Sequence, residues 1–117
     1  MEFSVDTSAG VRVGVAILPE RIDAASCAEL QAAAAGWLKQ TANLVFDCSG
    51  LDFIDSSGLG VLVSTLRKTI EQDGDLKLAC LGMKASMLME LTKAKRLFSI
   101  HPDAVSAIAA FHGGVRQ

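Results

Sequence analysis

Phe46-Asp47-Cys48-Ser49-Gly50-Leu51-Asp52-Phe53-Ile54-Asp55-Ser56-Ser57-Gly58-Leu59-Gly60 reads, in order, as the end of a strand, a polar turn and the start of a helix. Residues 43–48 on its left form a short apolar burst bounded by polar residues. Residues 57–72 on its right repeat Leu59, Leu62 or Val63, Leu66 and Ile70 at three- to four-residue steps, with Arg67, Lys68 and Glu71 opposite. That is the spacing of an amphipathic helix. A strand feeding a helix through a short turn is the unit of an α/β fold, and the same alternation continues on both sides.

Upstream, Val11, Val13, Val15 and Ile17 alternate with Arg12, Gly14, Ala16 and Leu18, a β-branched period-two run after the turn formers Ser8-Ala9-Gly10. Residues 2–6 alternate Phe3 and Val5 with polar positions, and the turn folds them back as an antiparallel partner. Residues 23–41 carry Cys27, Leu30, Ala34 and Trp37 or Leu38 at helical spacing. Downstream, Asp73-Gly74-Asp75 stops the second helix and residues 76–81 alternate as a strand. Residues 84–93 place Met87, Leu88 and Leu91 on one helical face, and 97–100 is a brief strand. Pro102 suits a first helical turn, and Val105, Ile108 and Phe111 form the last stripe before Gly113-Gly114. The order is ββαβαβαβα. Strands alternating with helices imply a mixed, mostly parallel sheet joined by right-handed crossovers, with an antiparallel N-terminal edge strand and about four helices. Residues 1–117 read as a single domain.

Half of the 117 residues are hydrophobic and 21% are charged, the balance of a folded soluble domain. Such a chain buries roughly two thirds of its unfolded surface, so it needs no disulfide. Cys27, Cys48 and Cys80 are odd in number and form no Cys-x-x-Cys pair; they read as small buried hydrophobes in a reducing cytoplasm. No apolar stretch approaches the roughly 20 residues that cross a bilayer. The acidic start, Met-Glu-Phe-Ser-Val-Asp, lacks the basic region of a secretory signal, and the expected location is cytoplasmic. A net charge of −2 argues against a nucleic-acid partner. Eight acids against three bases give residues 1–58 a charge of −5, leaving +3 for the rest; Lys93, Lys95 and Arg96 there read as a solvated face.

Several chemistries are absent. Gly-x-x-x-x-Gly-Lys-Ser/Thr does not occur, and Gly-x-Gly-x-x-Gly fails because Val63 holds the third glycine position, so no nucleotide cofactor is expected. His101 and His112 are eleven apart with no ligand-spaced partner, so no metal is expected. A Ser56 nucleophile served by His101 or His112 lacks its elbow, since Ile54 replaces the leading glycine of Gly-x-Ser-x-Gly.

The positive signal lies at the start of the second helix. Asp55, Ser56 and Ser57 are all good cap residues. Gly58 and Gly60 leave the first turn bare, so that another protein's backbone could approach. An exposed serine there is an accessible phosphoryl acceptor. A phosphate would add about −1.5 to −2 charges at the positive end of a helix, among acids.

Residues 51–63, above all Asp55-Ser56-Ser57-Gly58-Leu59-Gly60, strongly resemble the phosphorylation segment of STAS domains of the anti-sigma factor antagonist (anti-anti-sigma factor) family. Pro19-Glu20-Arg21-Ile22-Asp23 is similar to that family's Gly-Glu-Leu-Asp strand end, and residues 95–100 and 104–111 are similar to its last strand and helix. The resemblance implies a single STAS domain that is a switch and no enzyme. Ser56 is then the phosphorylated serine, Asp23 the acid kept beside it, and Asp55, Ser57, Gly58 and Gly60 the surrounding site. It further implies an anti-sigma factor serine kinase as partner, which the unphosphorylated protein binds to release a sigma factor, and a PP2C-type phosphatase that resets it. Pro19 stands where the family has glycine, and Ala25 where many relatives have Thr or Ser, so the first helix is expected to lose a capping hydroxyl that Ser26 could replace.

Two other readings stand beside this one. In the first, the domain is an interaction module in another partner-switching pathway or an accessory subunit of a transport ATPase, with Ser56 only a helix cap and Met83, Met87 and Met89 as an adaptable surface. The second is the Ser56 hydrolase. A monomer is expected, because the long apolar faces are used by the core.

Overall fold

The computed structural model describes residues 1–111. Its elements are β1 (Phe3–Asp6), β2 (Val13–Ile17), β3 (Arg21–Ile22), α1 (Cys27–Leu38), β4 (Asn43–Asp47), β5 (Phe53–Ile54), α2 (Ser56–Glu71), β6 (Asp75–Ala79), α3 (Met83–Leu91), a 3₁₀ turn (Ala94–Leu97), β7 (Ser99–His101) and α4 (Ala104–Ala109). The main sheet has the order β1-β2-β4-β6-β7. β1 runs antiparallel to β2, with Phe3 opposite Ala16 and Asp6 opposite Val13, and the other pairs are parallel. The mixed α/β architecture with four helices matches the expectation.

Alternation along the strands separates two faces. Leu44, Phe46, Leu76 and Leu78 face a core filled from α1, α2 and α3 by Leu30, Trp37, Leu62, Leu66 and Met89. Val45 and Ala79 face the other side, under Ala107 and Phe111. Phe46 is fully buried, and its ring meets Trp37 edge-on at 5.7 Å, while Phe3 stacks on Trp37 at 5.3 Å. Aromatic pairs in these geometries add about 0.5–1.5 kcal/mol beyond their buried area.

The structure corrects several local expectations. β3 and β5 are two-residue strands forming a second, parallel sheet, too short to show any periodicity. α1 starts at Cys27 and not near Asp23, because residues 23–26 form a hydrogen-bonded turn. Residues 94–97 wind into a 3₁₀ turn, so β7 begins at Ser99. Asp103 caps α4, which leaves Pro102 outside the helix. In α2, Thr69 is buried in place of Ile70, its hydroxyl satisfied by the Leu66 carbonyl at 2.6 Å. α3 has two apolar stripes: Ala85 and Met89 face the core, whereas Met83, Met87 and Leu91 face outward. Periodicity alone cannot tell which of two such stripes is covered. Val105 likewise faces outward.

Of the cysteines, Cys48 is buried, and Cys27 and Cys80 are half-buried. Burial, reinforced by Asp47 and Cys80, pushes the Cys48 thiol up to about 12. His112 and the Gly113-Gly114 stop lie outside the described residues. No helix among the described residues is long and apolar enough to cross a membrane.

Candidate functional site

The small sheet builds the site. Arg21 pairs with Phe53 and Ile22 with Ile54, and the Asp55 amide donates to the Ile22 carbonyl at 3.2 Å. Two parallel strands thus end in register, and each is followed by an aspartate. Asp23 and Asp55 lie side by side at the entry to α1 and α2.

Asp55 caps α2: its Oδ1 accepts from the Gly58 amide at 3.0 Å. Its Oδ2 accepts from the Ala24 amide at 3.2 Å, so one carboxylate ties the two loops together. Replacing Asp55 with Ala removes an N-cap worth typically about 1 kcal/mol. The expected result is a loss of about that size in a denaturant titration, with the loop around Ala24 showing the largest gain in amide exchange.

Asp23 organises its own turn. Its Oδ1 accepts from the Ala25 amide at 3.1 Å and from the amide and hydroxyl of Ser26, each at 3.2 Å, while its amide donates to Ser26 Oγ at 3.0 Å. Ser26 occupies the N-cap of α1 without bonding into the helix; its hydroxyl serves the Asp23 turn. Desolvation works to raise the Asp23 carboxyl, but the bonds from Ser26, Ala25 and Arg21 outweigh it and hold the group below its ordinary 3.8. A depressed carboxyl stabilises the fold above its unfolded value, so this contribution is present at neutral pH and lost as pH falls through the lowered value. Arg21 lies between Asp23, at 3.4 Å, and the ring of Phe53, 4.3 Å below its guanidinium.

Ser56 and Ser57, the first two residues of α2, are both exposed. With Asp55 as the cap, Ser56 is not the capping residue. Its hydroxyl is accessible at the positive end of the helix dipole, beside two carboxylates.

The two glycines have different roles. A Cβ on Gly58 would lie 2.5 Å from the Ile22 carbonyl oxygen, so this glycine lets β3 press against α2 and faces inward. Gly60 is exposed, with nothing within 4 Å of the corresponding position. The bare surface expected from both glycines belongs to Gly60 alone.

His101 does not join Ser56. It lies on β7, where its Nε2 is 2.8 Å from Ser99 Oγ, and burial together with Lys77 lowers its pKa. Among the described residues no group of three His, Cys, Asp or Glu side chains is placed to hold a metal.

The sequence profile of the STAS domain matches residues 4–107. The chain belongs to the STAS domain family. Solved STAS structures agree in fold. An anti-sigma factor antagonist from Mycobacterium paratuberculosis is 24% identical with a TM-score of 0.78, over 93% of this chain and 92% of that one. An anti-sigma-factor antagonist (STAS) domain protein from Planctomyces limnophilus is 18% identical with a TM-score of 0.76, over 92% and 96%. The Bacillus cell fate determinant SpoIIAA in its phosphorylated form is 15% identical with a TM-score of 0.63, over 92% and 96%. No curated protein sequence matches the chain. Within this STAS domain, reading motifs one at a time missed the β3–β5 pairing. The signal was the repeated Ile-Asp dipeptide at 22–23 and 54–55.

Proposed function

We propose that this STAS domain is an anti-sigma factor antagonist, a protein-binding switch and no enzyme, controlled by phosphorylation of Ser56. The observation that carries the reading is an exposed serine at the first position of α2, with Asp55 as the cap and Asp23 beside it. Unphosphorylated, the surface of Asp23, Asp55, Ser56, Ser57 and Gly60 binds an anti-sigma factor that is also a serine kinase, and a sigma factor is released. The kinase transfers the γ-phosphoryl of ATP to Ser56 Oγ; ADP leaves and the hydroxyl proton passes to a base on the kinase. A PP2C-type phosphatase returns the serine by directing water at phosphorus. In this reading the domain works as a cytoplasmic monomer in a bacterial cell, without nucleic acid or cofactor.

The test is incubation of the purified protein with ATP and an extract of its own organism, read by intact mass and peptide mapping. One phosphate on Ser56, absent from Ser56→Ala and removed by phosphatase, supports the switch. No phosphate on Ser56 in extracts from any growth phase overturns it in favour of a constitutive interaction module.

A further inference from the structure

A shallow, solvent-open groove of about 440 Å³ runs from Ser56 along one face of α2. Gly60, Val63 and Arg67 form one wall, and Lys93 and Leu97 stand opposite, on the segment linking α3 to β7. Its floor is apolar and Leu97 is exposed. The lining itself is basic, with Arg67, eleven positions along α2 from Ser56 at its far end, and Lys93 on the opposite wall, whereas Asp23 and Asp55 lie by Ser56 outside it.

Among the described residues neither cation has an ion-pair partner. The ion pairs among the described residues use Arg21, Lys77, Lys84 and Lys95, and Lys95 is drawn away by Glu90 at 2.9 Å and Ser86 at 3.0 Å. Lys93 also carries a conformational penalty. It has φ 63° and ψ 12°, the left-handed region, at the end of α3 where glycine sits without strain. Lys93 is exposed there and has no ion pair among the described residues, and strained residues of this kind gather at ligand clamps.

We propose that this groove docks an acidic segment of the kinase that phosphorylates Ser56, its carboxylates meeting Lys93 and Arg67 and its apolar side chains seating on Val63 and Leu97. The inference rests on the function proposed above and names the second half of that interface. Two cations are too few to hold a nucleic acid. The opening is too shallow to enclose a small molecule, since such sites bury most of the ligand. A protein segment with charge opposite to the far end fits both constraints. Ser56 lines one end of this groove and Arg67 lies eleven positions further along α2, so phosphorylation repels the partner at the Ser56 end only.

The experiment uses the kinase purified by its activity on Ser56, with steady-state phosphorylation of the wild type and of Lys93→Glu, Arg67→Glu, Lys93→Gly and Arg12→Glu. Arg12 is exposed before β2, at the other end of the sheet, and controls for net charge. Lys93→Glu and Arg67→Glu are each expected to raise KM about fivefold with kcat unchanged, while Arg12→Glu leaves both alone. Lys93→Gly is expected to raise KM and also Tm, which separates docking from folding. Ser56 phosphorylated with wild-type KM in Lys93→Glu and Arg67→Glu overturns the groove and leaves the switch standing. Absence of any Ser56 kinase overturns both.

Discussion

Ser56→Asp is expected to weaken binding of the purified partner kinase more than tenfold, at least about 1.4 kcal/mol, while Ser56→Ala binds as the wild type does. The argument begins with charge. Asp23 and Asp55 already stand beside this position; backbone amides hold both carboxylates, and Asp23 is also paired with Arg21 at 3.4 Å. A partner that docks there has to complement two acids, and a third negative charge alters the match at an interface from which water is removed. The fold itself tolerates the change. An acid in the first turn of α2 interacts favourably with the helix dipole, by about 0.3–1 kcal/mol, so the Tm of Ser56→Asp is expected to hold or rise. Calorimetric titration of both variants checks the contrast. Equal affinities defeat the switch, and a fall in Tm assigns any loss of binding to folding.

How much of this was legible in the sequence depended on the length scale of each feature. Val13 to Ile17 and Leu59 to Leu66 show their periods over five or more residues, and the structure places them as a strand and a helix. The helix start at Asp55-Ser56-Ser57 was legible from residue types alone, since Asp and Ser are preferred N-caps, whereas its reading as a phosphoacceptor came from the resemblance to STAS domains. The β3–β5 pair was not, because two residues carry no period and their partner is 32 positions away. Without that pair the role of Gly58 could not be read: its neighbour Ile22 belongs to another part of the chain, and the sequence suggested an outward-facing gap instead. The orientation of α3 was hidden for a related reason: Met87 and Leu91, read on one face with Leu88, stand outward with Met83, while Leu88 packs against the core. Apolar residues at i, i+4 and i+8 mark a face of α3, but only the packing of Ala85 and Met89 shows that the other face is the buried one. The groove beside Ser56 escaped as well, because the left-handed turn at Lys93 is unexpected for a lysine and brings residues some thirty positions apart into opposition.

Gly58→Ala is expected to destabilise the protein by about 2–3 kcal/mol, although alanine is the better helix former. A methyl group there would lie 2.5 Å from the Ile22 carbonyl oxygen, 2.7 Å from Ile22 Cγ2 and 2.9 Å from Ile54 Cγ1. The first of these is backbone, and it cannot yield freely, since the same carbonyl accepts the Asp55 amide and Ile22 is fully buried. Relief requires β3 to move off α2, which stretches the Ala24–Asp55 bond and separates the two aspartates. Gly60→Ala, two residues further on and on the other side of α2, gains the helix propensity with nothing within 4 Å of the new methyl, so it is expected to stabilise by about 0.5–1 kcal/mol. The two substitutions are chemically identical, and the opposite signs isolate the contact with β3. Thermal melts of both variants, with amide exchange at Ala24, are the measurement. If Gly58→Ala melts at or above the wild-type temperature, the close packing of β3 on α2 is wrong, and with it the placement of Asp23 beside Ser56.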